Sequence, residues 1–136
     1  MVWFLRILFF VVLVSMLVVT AWAGRQQSLG EFARSPTFRE PWVVATLFDA
    51  YWAFIAFYVW VAWKETSAVA RVLWFPSLVL LGNIAIEAYM LAELFSVPAG
   101  APRRDALTRV FTRQNRGGPA LPSLLTAVAA VVYWFA

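Results

Sequence analysis

Asp49 and Glu87 are the residues of this chain best placed to do chemistry, because each is a carboxylate inside a long apolar run. Asp49 lies seven residues after Trp42, ~10 Å into a helix at ~1.5 Å per residue. An antiparallel hairpin that pairs Trp63 with Val72 would set Asp49 opposite Ile86, next to Glu87. Asn83 falls one turn from Glu87 on the same face. An unpaired ion at such a depth in lipid is costly, and no Lys or Arg lies level with these acids. One or both acids are therefore expected to be protonated, to share a proton, or to bind a cation or polar ligand. In the plainer alternative they are interhelical glue, hydrogen-bonded to Asn83, Tyr51 or Tyr89.

The residues that are missing narrow the chemistry further. Cysteine and histidine are both absent. Disulfides, thiolate or imidazole ligation of zinc, copper or haem, and Ser-His-Asp or Cys-His catalysis are thereby excluded. No metal site and no cofactor is expected, and any proton chemistry falls to Asp, Glu, Tyr, Lys or water. Eleven basic against seven acidic residues could suggest nucleic acid as a partner. The arginines, however, lie between apolar runs, where membrane topology accounts for them, so no nucleic acid partner is expected.

Those runs define the elements. Hydrophobic residues make up 63% of the 136-residue chain and charged residues 13%, far from the roughly half and quarter of a soluble domain. The reading is an all-α integral membrane bundle, a single domain of about four transmembrane helices over 2–23, 42–63, 72–97 and 121–136. Arg6, the apolar stretch and Ala21-Trp22-Ala23 also resemble a signal peptide with its cleavage site. Ser35-Pro36 and Glu40-Pro41 break the first linker, and Pro76 is expected near the start of the third span. The last run has 16 residues, so it is either a short span or a half-inserted segment. Between Pro98 and Pro119 the segment with Arg103, Arg104, Arg109, Arg113 and Arg116 is expected to hold a short amphipathic helix on the membrane surface, with Leu107, Val110 and Phe111 on one face and Asp105 as its cap. A solvated basic loop is the alternative for that segment.

With four spans, the linkers 24–41 and 98–120 share a side and carry eight of the eleven basic residues, which places them in the cytoplasm or its equivalent. Six of the eight tryptophans fall near the ends of runs, as in an interfacial belt. Ala45, Ala53 and Ala56, with Gly82, Ala88 and Ala92 on the third run, suit close helix packing.

The central block carries a resemblance. It reads Phe48-Asp49-Ala50-Tyr51, Tyr58-Val59-Trp60-Val61-Ala62-Trp63-Lys64-Glu65, Ala70-Arg71-Val72-Leu73-Trp74-Phe75 and Leu80-Leu81-Gly82-Asn83. Over about residues 41–95 it resembles an uncharacterised family of small multi-pass membrane proteins, a domain of unknown function found in bacteria and plants. The resemblance implies a membrane fold and no activity, and it directs attention to Asp49, Lys64, Glu65, Arg71 and Asn83. The expected function is that of a non-enzymatic accessory or assembly protein, contacting the lipid bilayer and other membrane proteins, with a photosynthetic or respiratory complex as a natural host. The competing expectation is a small transporter or lipid-modifying enzyme using Asp49 and Glu87.

Overall fold

The computed structural model describes residues 1–115 and 118–135, so Arg116 lies outside the described residues. They form seven α-helices: α1 (Val2–Gln26), α2 (Leu29–Arg34), α3 (Pro41–Lys64), α4 (Ala68–Leu81), α5 (Asn83–Phe95), α6 (Arg103–Phe111) and α7 (Ala120–Phe135), with a 3-10 helix at Pro36–Arg39. Two of them, α1 and α3, are long and apolar enough to cross a membrane. At 25 and 24 residues they measure ~37 and ~36 Å. Helix α1 runs unbroken through Ala21-Trp22-Ala23. In the linker, Ser28 and Glu31 cap α2 reciprocally, with Ser28 Oγ accepting from Glu31 N at 3.2 Å and Glu31 Oε2 accepting from Ser28 N at 3.1 Å. Pro41 opens α3 at its first turn, where its missing N–H costs nothing.

The run 72–97, expected as one span, is two helices. Helix α4 has 14 residues and α5 has 13, ~21 and ~20 Å. The chain turns back between them at Gly82. Were the two collinear, Glu93 would lie more than ~30 Å from Lys64, yet the two side chains meet at 2.5 Å. Trp74 and Tyr89, on either side of Gly82 in sequence, pack edge to face with centroids 4.9 Å apart. Gly82 has φ +54°, a conformation that L side chains rarely adopt, and a Cβ there would meet the Phe54 ring at 2.7 Å. Its N–H closes α4 on Leu78 O at 2.9 Å, and its carbonyl opens α5 by accepting from Ala85 and Ile86 at 3.1 Å. Pro76 is therefore inside α4 rather than near the start of a span.

Phe54 lies ten residues before Lys64, so the Gly82 turn sits ~15 Å along the ~36 Å of α3. Helix α7 lies along α4 in the same direction. Ser77 Oγ is 3.0 Å from Thr126 Oγ1, and Tyr133 OH donates to Leu80 O at 2.9 Å, satisfying a carbonyl that the end of α4 leaves open. Helix α1 packs antiparallel on α5, with Arg6 donating to Leu94 O at 2.9 Å and Val97 O at 2.7 Å.

One end of the molecule thus gathers the start of α1, the junction of α3 with α4, the end of α5, α6 and the start of α7. The linker 24–41 and the start of α3 stand at the other end. The linker 24–41 and the segment 98–115 do not share an end, because the chain folds back at Gly82. Two apolar clusters hold the arrangement. Val2, Met90, Leu94, Val97, Ala106 and Val110 join α1, α5 and α6. Val61, Ala70, Trp74, Leu78, Ala85 and Tyr89 join α3, α4 and α5.

Candidate functional site

Among the described residues, the densest group of bonded polar side chains lies where α3 ends. The apolar run of α3 stops at Lys64, and Glu65 leaves the helix in extended conformation. Lys64 is fully buried, and Glu65 and Glu93 are 3% and 5% exposed. Lys64 Nζ donates to Glu93 Oε2 at 2.5 Å and also to the Val110 carbonyl, which ties α3 to α5 and α6. Trp60 and Tyr89 present their rings to the ammonium at 5.1 and 5.9 Å. Asn115 closes the group from the segment after α6. Its Nδ2 donates to Glu93 Oε1 and, at 3.1 Å, to Glu65 Oε1. Tyr89 OH donates to that same Glu65 oxygen at 3.2 Å.

Backbone bonds fix Asn115 in place. Its N–H donates to Lys64 O at 2.8 Å, and its carbonyl accepts from Thr66 N at 3.1 Å and from Thr66 Oγ1 at 2.7 Å. Arg71 Nε donates to the Glu65 carbonyl at 2.5 Å. Trp60 Nε1 donates to Phe111 O at 3.1 Å. One ammonium, two carboxylates, an amide and a phenol therefore satisfy one another out of water. Burial of charges in this way is tolerated only with such pairing. The chemistry of this group is that of a clasp: it joins four segments, and its acids are engaged rather than presented.

The acids picked out by position alone are arranged differently. Asp49 is exposed on α3, and no side-chain hydrogen bond joins it to Glu87 among the described residues. Glu87 is buried on α5, with Oε2 lacking a hydrogen-bond partner. The fold-back explains the separation. Asp49 lies on the side of Phe54 away from Lys64, whereas α5 descends from Gly82 toward Lys64. Asn83 and Tyr51 are exposed, with Tyr51 edge to face on Phe54 at 5.8 Å. Of the five residues, Tyr89 alone enters the clasp. Lys64, Glu65 and Arg71, which the resemblance pointed to, all belong to it or brace it. Glu93 and Asn115 were not singled out, and their sequence separation from Lys64 leaves no local signal that would have found them.

Helix α6 forms as a short amphipathic element. Ala106 and Val110 are buried, Leu107 and Phe111 are exposed, and Arg103, Arg104 and Arg109 are exposed with them. It starts after Pro102 without a side-chain cap, so Asp105 lies in its first turn rather than at its cap. Beyond it, an open cleft of about 780 Å³ is lined by Thr66, Ser96, Arg109, Arg113, Gln114 and Asn115. A second, apolar groove of about 500 Å³ runs between α1 and α3, with Phe9 and Phe57 on its walls and Ile86 and Met90 of α5 on its floor.

No curated protein and no solved structure matches the chain. One family model does, over residues 4–132, so the match takes in both termini of the bundle as well as the block from 41 to 95. The chain belongs to the family described as "Protein of unknown function (DUF1475)".

Proposed function

We propose that this protein is an integral, multi-pass membrane accessory or assembly protein that takes a transmembrane helix of a partner between α1 and α3. The observation that carries this reading is how bare those two helices are. None of the most apolar 18-residue window of α3 is buried, and Trp42, Phe48, Trp52 and Val59 are each more than 60% exposed along it. Helix α1 packs on α5 and α3 packs on α4, but the two long helices do not pack extensively on each other. Beyond the Gly82 turn each continues for ~20 Å with little of the chain beside it. The apolar groove lined by Phe9, Ala56, Phe57 and Trp60 opens at the foot of this bare stretch and has the chemistry of a seat for a partner's membrane helix. A clasp that rigidifies the end at which the groove opens suits a scaffold better than a turnover site.

Native mass in a mild detergent tests the proposal. Co-purification in a large assembly supports it, and a small homo-oligomer opposes it. Replacing Ala56 on the groove wall by Trp should release the assembly while leaving the monomer folded. The transporter or lipid-modifying reading draws support from the unpartnered Glu87 oxygen alone, since Asp49 stands apart from it.

A further inference from the structure

We infer that the cleft beside α6 binds the phosphate of an anionic phospholipid headgroup. Arg109 and Arg113 supply the recognition. They are four residues apart, and the Thr112 and Arg113 amides both fold back to Thr108 O, at 3.0 and 3.1 Å, so the turn carrying Arg113 continues over Arg109. Both guanidiniums line the same cleft and are without a salt-bridge partner among the described residues. Two forked, permanently charged donors are what a phosphate oxygen pair requires.

The rest of the lining adds neutral polar groups and no carboxylate. Of the nearby acids, Glu93 faces inward to Lys64 and Asn115, Glu65 faces Tyr89 and Asn115, and Asp105, one turn before Arg109, lines the neighbouring cleft rather than this one. Asn115, held by three backbone-directed bonds, gives the cleft a rigid edge. A lipid rather than a soluble anion is favoured by position. The cleft opens where α3 ends, and Leu107 and Phe111 lie exposed on the adjacent α6. Such a helix places apolar side chains in the acyl boundary and arginines at headgroup level. Further arginines stand at this end outside the cleft, Arg71 bonded to the Glu65 carbonyl and Arg103 and Arg104 at the start of α6.

The inference rests on the membrane reading but not on the partner reading, and its test separates them. The purified full chain in a neutral detergent is offered equal phosphatidylglycerol and phosphatidylcholine, and retained lipid is read by native mass spectrometry. One phosphatidylglycerol should be retained in preference. R109Q/R113Q should cut that preference about tenfold, with the thermal midpoint unchanged. R103Q/R104Q removes equal charge outside the cleft and should keep the lipid. Undiminished retention in R109Q/R113Q, or an equal loss in both double variants, overturns the site in favour of diffuse attraction. If inorganic phosphate binds and no lipid is preferred, the cleft takes a soluble anion and the lipid assignment fails. Failure of the chain to stay in the bilayer on alkaline extraction would instead sink the membrane reading itself.

Discussion

Lys64 has the least conspicuous position in the sequence for the work it does. At the end of an apolar run, followed by Glu65-Thr66-Ser67, it reads as the start of a hydrophilic turn. It is instead fully buried, because Glu93 and the Val110 carbonyl receive its protons. Removing one member of a buried ion pair strands the other, which typically costs about 3–5 kcal/mol. Lys64→Met should therefore lower the unfolding midpoint in detergent sharply. Adding Glu93→Leu to it should recover a large part of the loss, because the carboxylate that the single change strands is then removed as well. If the double variant falls as far as the single one, the pair is not the origin of the effect. Asp49 calls for the opposite expectation. Exposed on α3, it should accept Asn or Leu with no loss of thermal midpoint, and a clear drop in Asp49→Leu would reveal a partner that the monomer lacks. The clasp was half legible in the sequence. The Lys64-Glu65 dipeptide and Tyr89 could be flagged, but depth along a supposed span paired Tyr89 with Asp49 and Glu87. Its actual partners are Glu65 at the end of α3 and Asn115 after α6, and nothing in local periodicity links Asn115 to Lys64.

At the scale of elements, the decisive feature is a single glycine. Composition from Val72 to Val97 is mostly apolar, so hydropathy merges α4 and α5 into one span. The signal that separates them is the Gly82-Asn83 dipeptide, a turn pair that small-residue packing explains equally well when read from sequence alone. Two effects oppose a side chain at Gly82: the positive φ, worth about 1–3 kcal/mol, and the Phe54 ring at 2.7 Å from any Cβ. Gly82→Ala should be strongly destabilising by denaturant titration. Combining it with Phe54→Ala should relieve the collision but not the backbone strain, so recovery is partial. Full recovery would show that φ at Gly82 is relaxed, and no recovery that the ring is not the obstacle. The helices with plain signals were the legible ones. Helices α1 and α3 followed from their apolar length, α7 from its 16 residues, and α6 from its alternation of arginines with Leu107, Val110 and Phe111. Helix α2 was missed because its capping box at Ser28 and Glu31 opens only six residues, too few for a periodic pattern.

At the scale of the whole molecule, one fold-back reverses the placement of everything after it. Four full spans would bring the linkers 24–41 and 98–120 to one side. With α4 and α5 returning to the level of Lys64, α6 joins the start of α1 and the linker 24–41 is left alone at the far end. The charge count does not separate these arrangements. Four spans group the first linker with the third, eight basic residues against three, while the fold-back groups Arg6, Lys64 and Arg71 with Arg103, Arg104, Arg109 and Arg113, seven described basic residues against three. The positive-inside rule therefore supports either, but with different members inside. With α1 and α3 crossing a bilayer, the start of α1 and α6 are expected in the cytoplasm or its equivalent and residues 24–41 outside. The chain has no cysteine, so single cysteines report cleanly. Gln27→Cys and Thr112→Cys are both at exposed positions, one at each end. In intact cells an impermeant thiol reagent should modify the first and spare the second, and after the membrane is opened both should react. Equal protection or equal labelling of the two in intact cells would mean that α4 and α5 cross the bilayer as one span, and the turn at Gly82 would not survive in the membrane. A further cysteine at Asn83 discriminates independently. Exposed beside the turn and ~15 Å from the level of Lys64, it should resist the reagent even in opened membranes, because the tip of the hairpin lies within the apolar layer that α1 and α3 span.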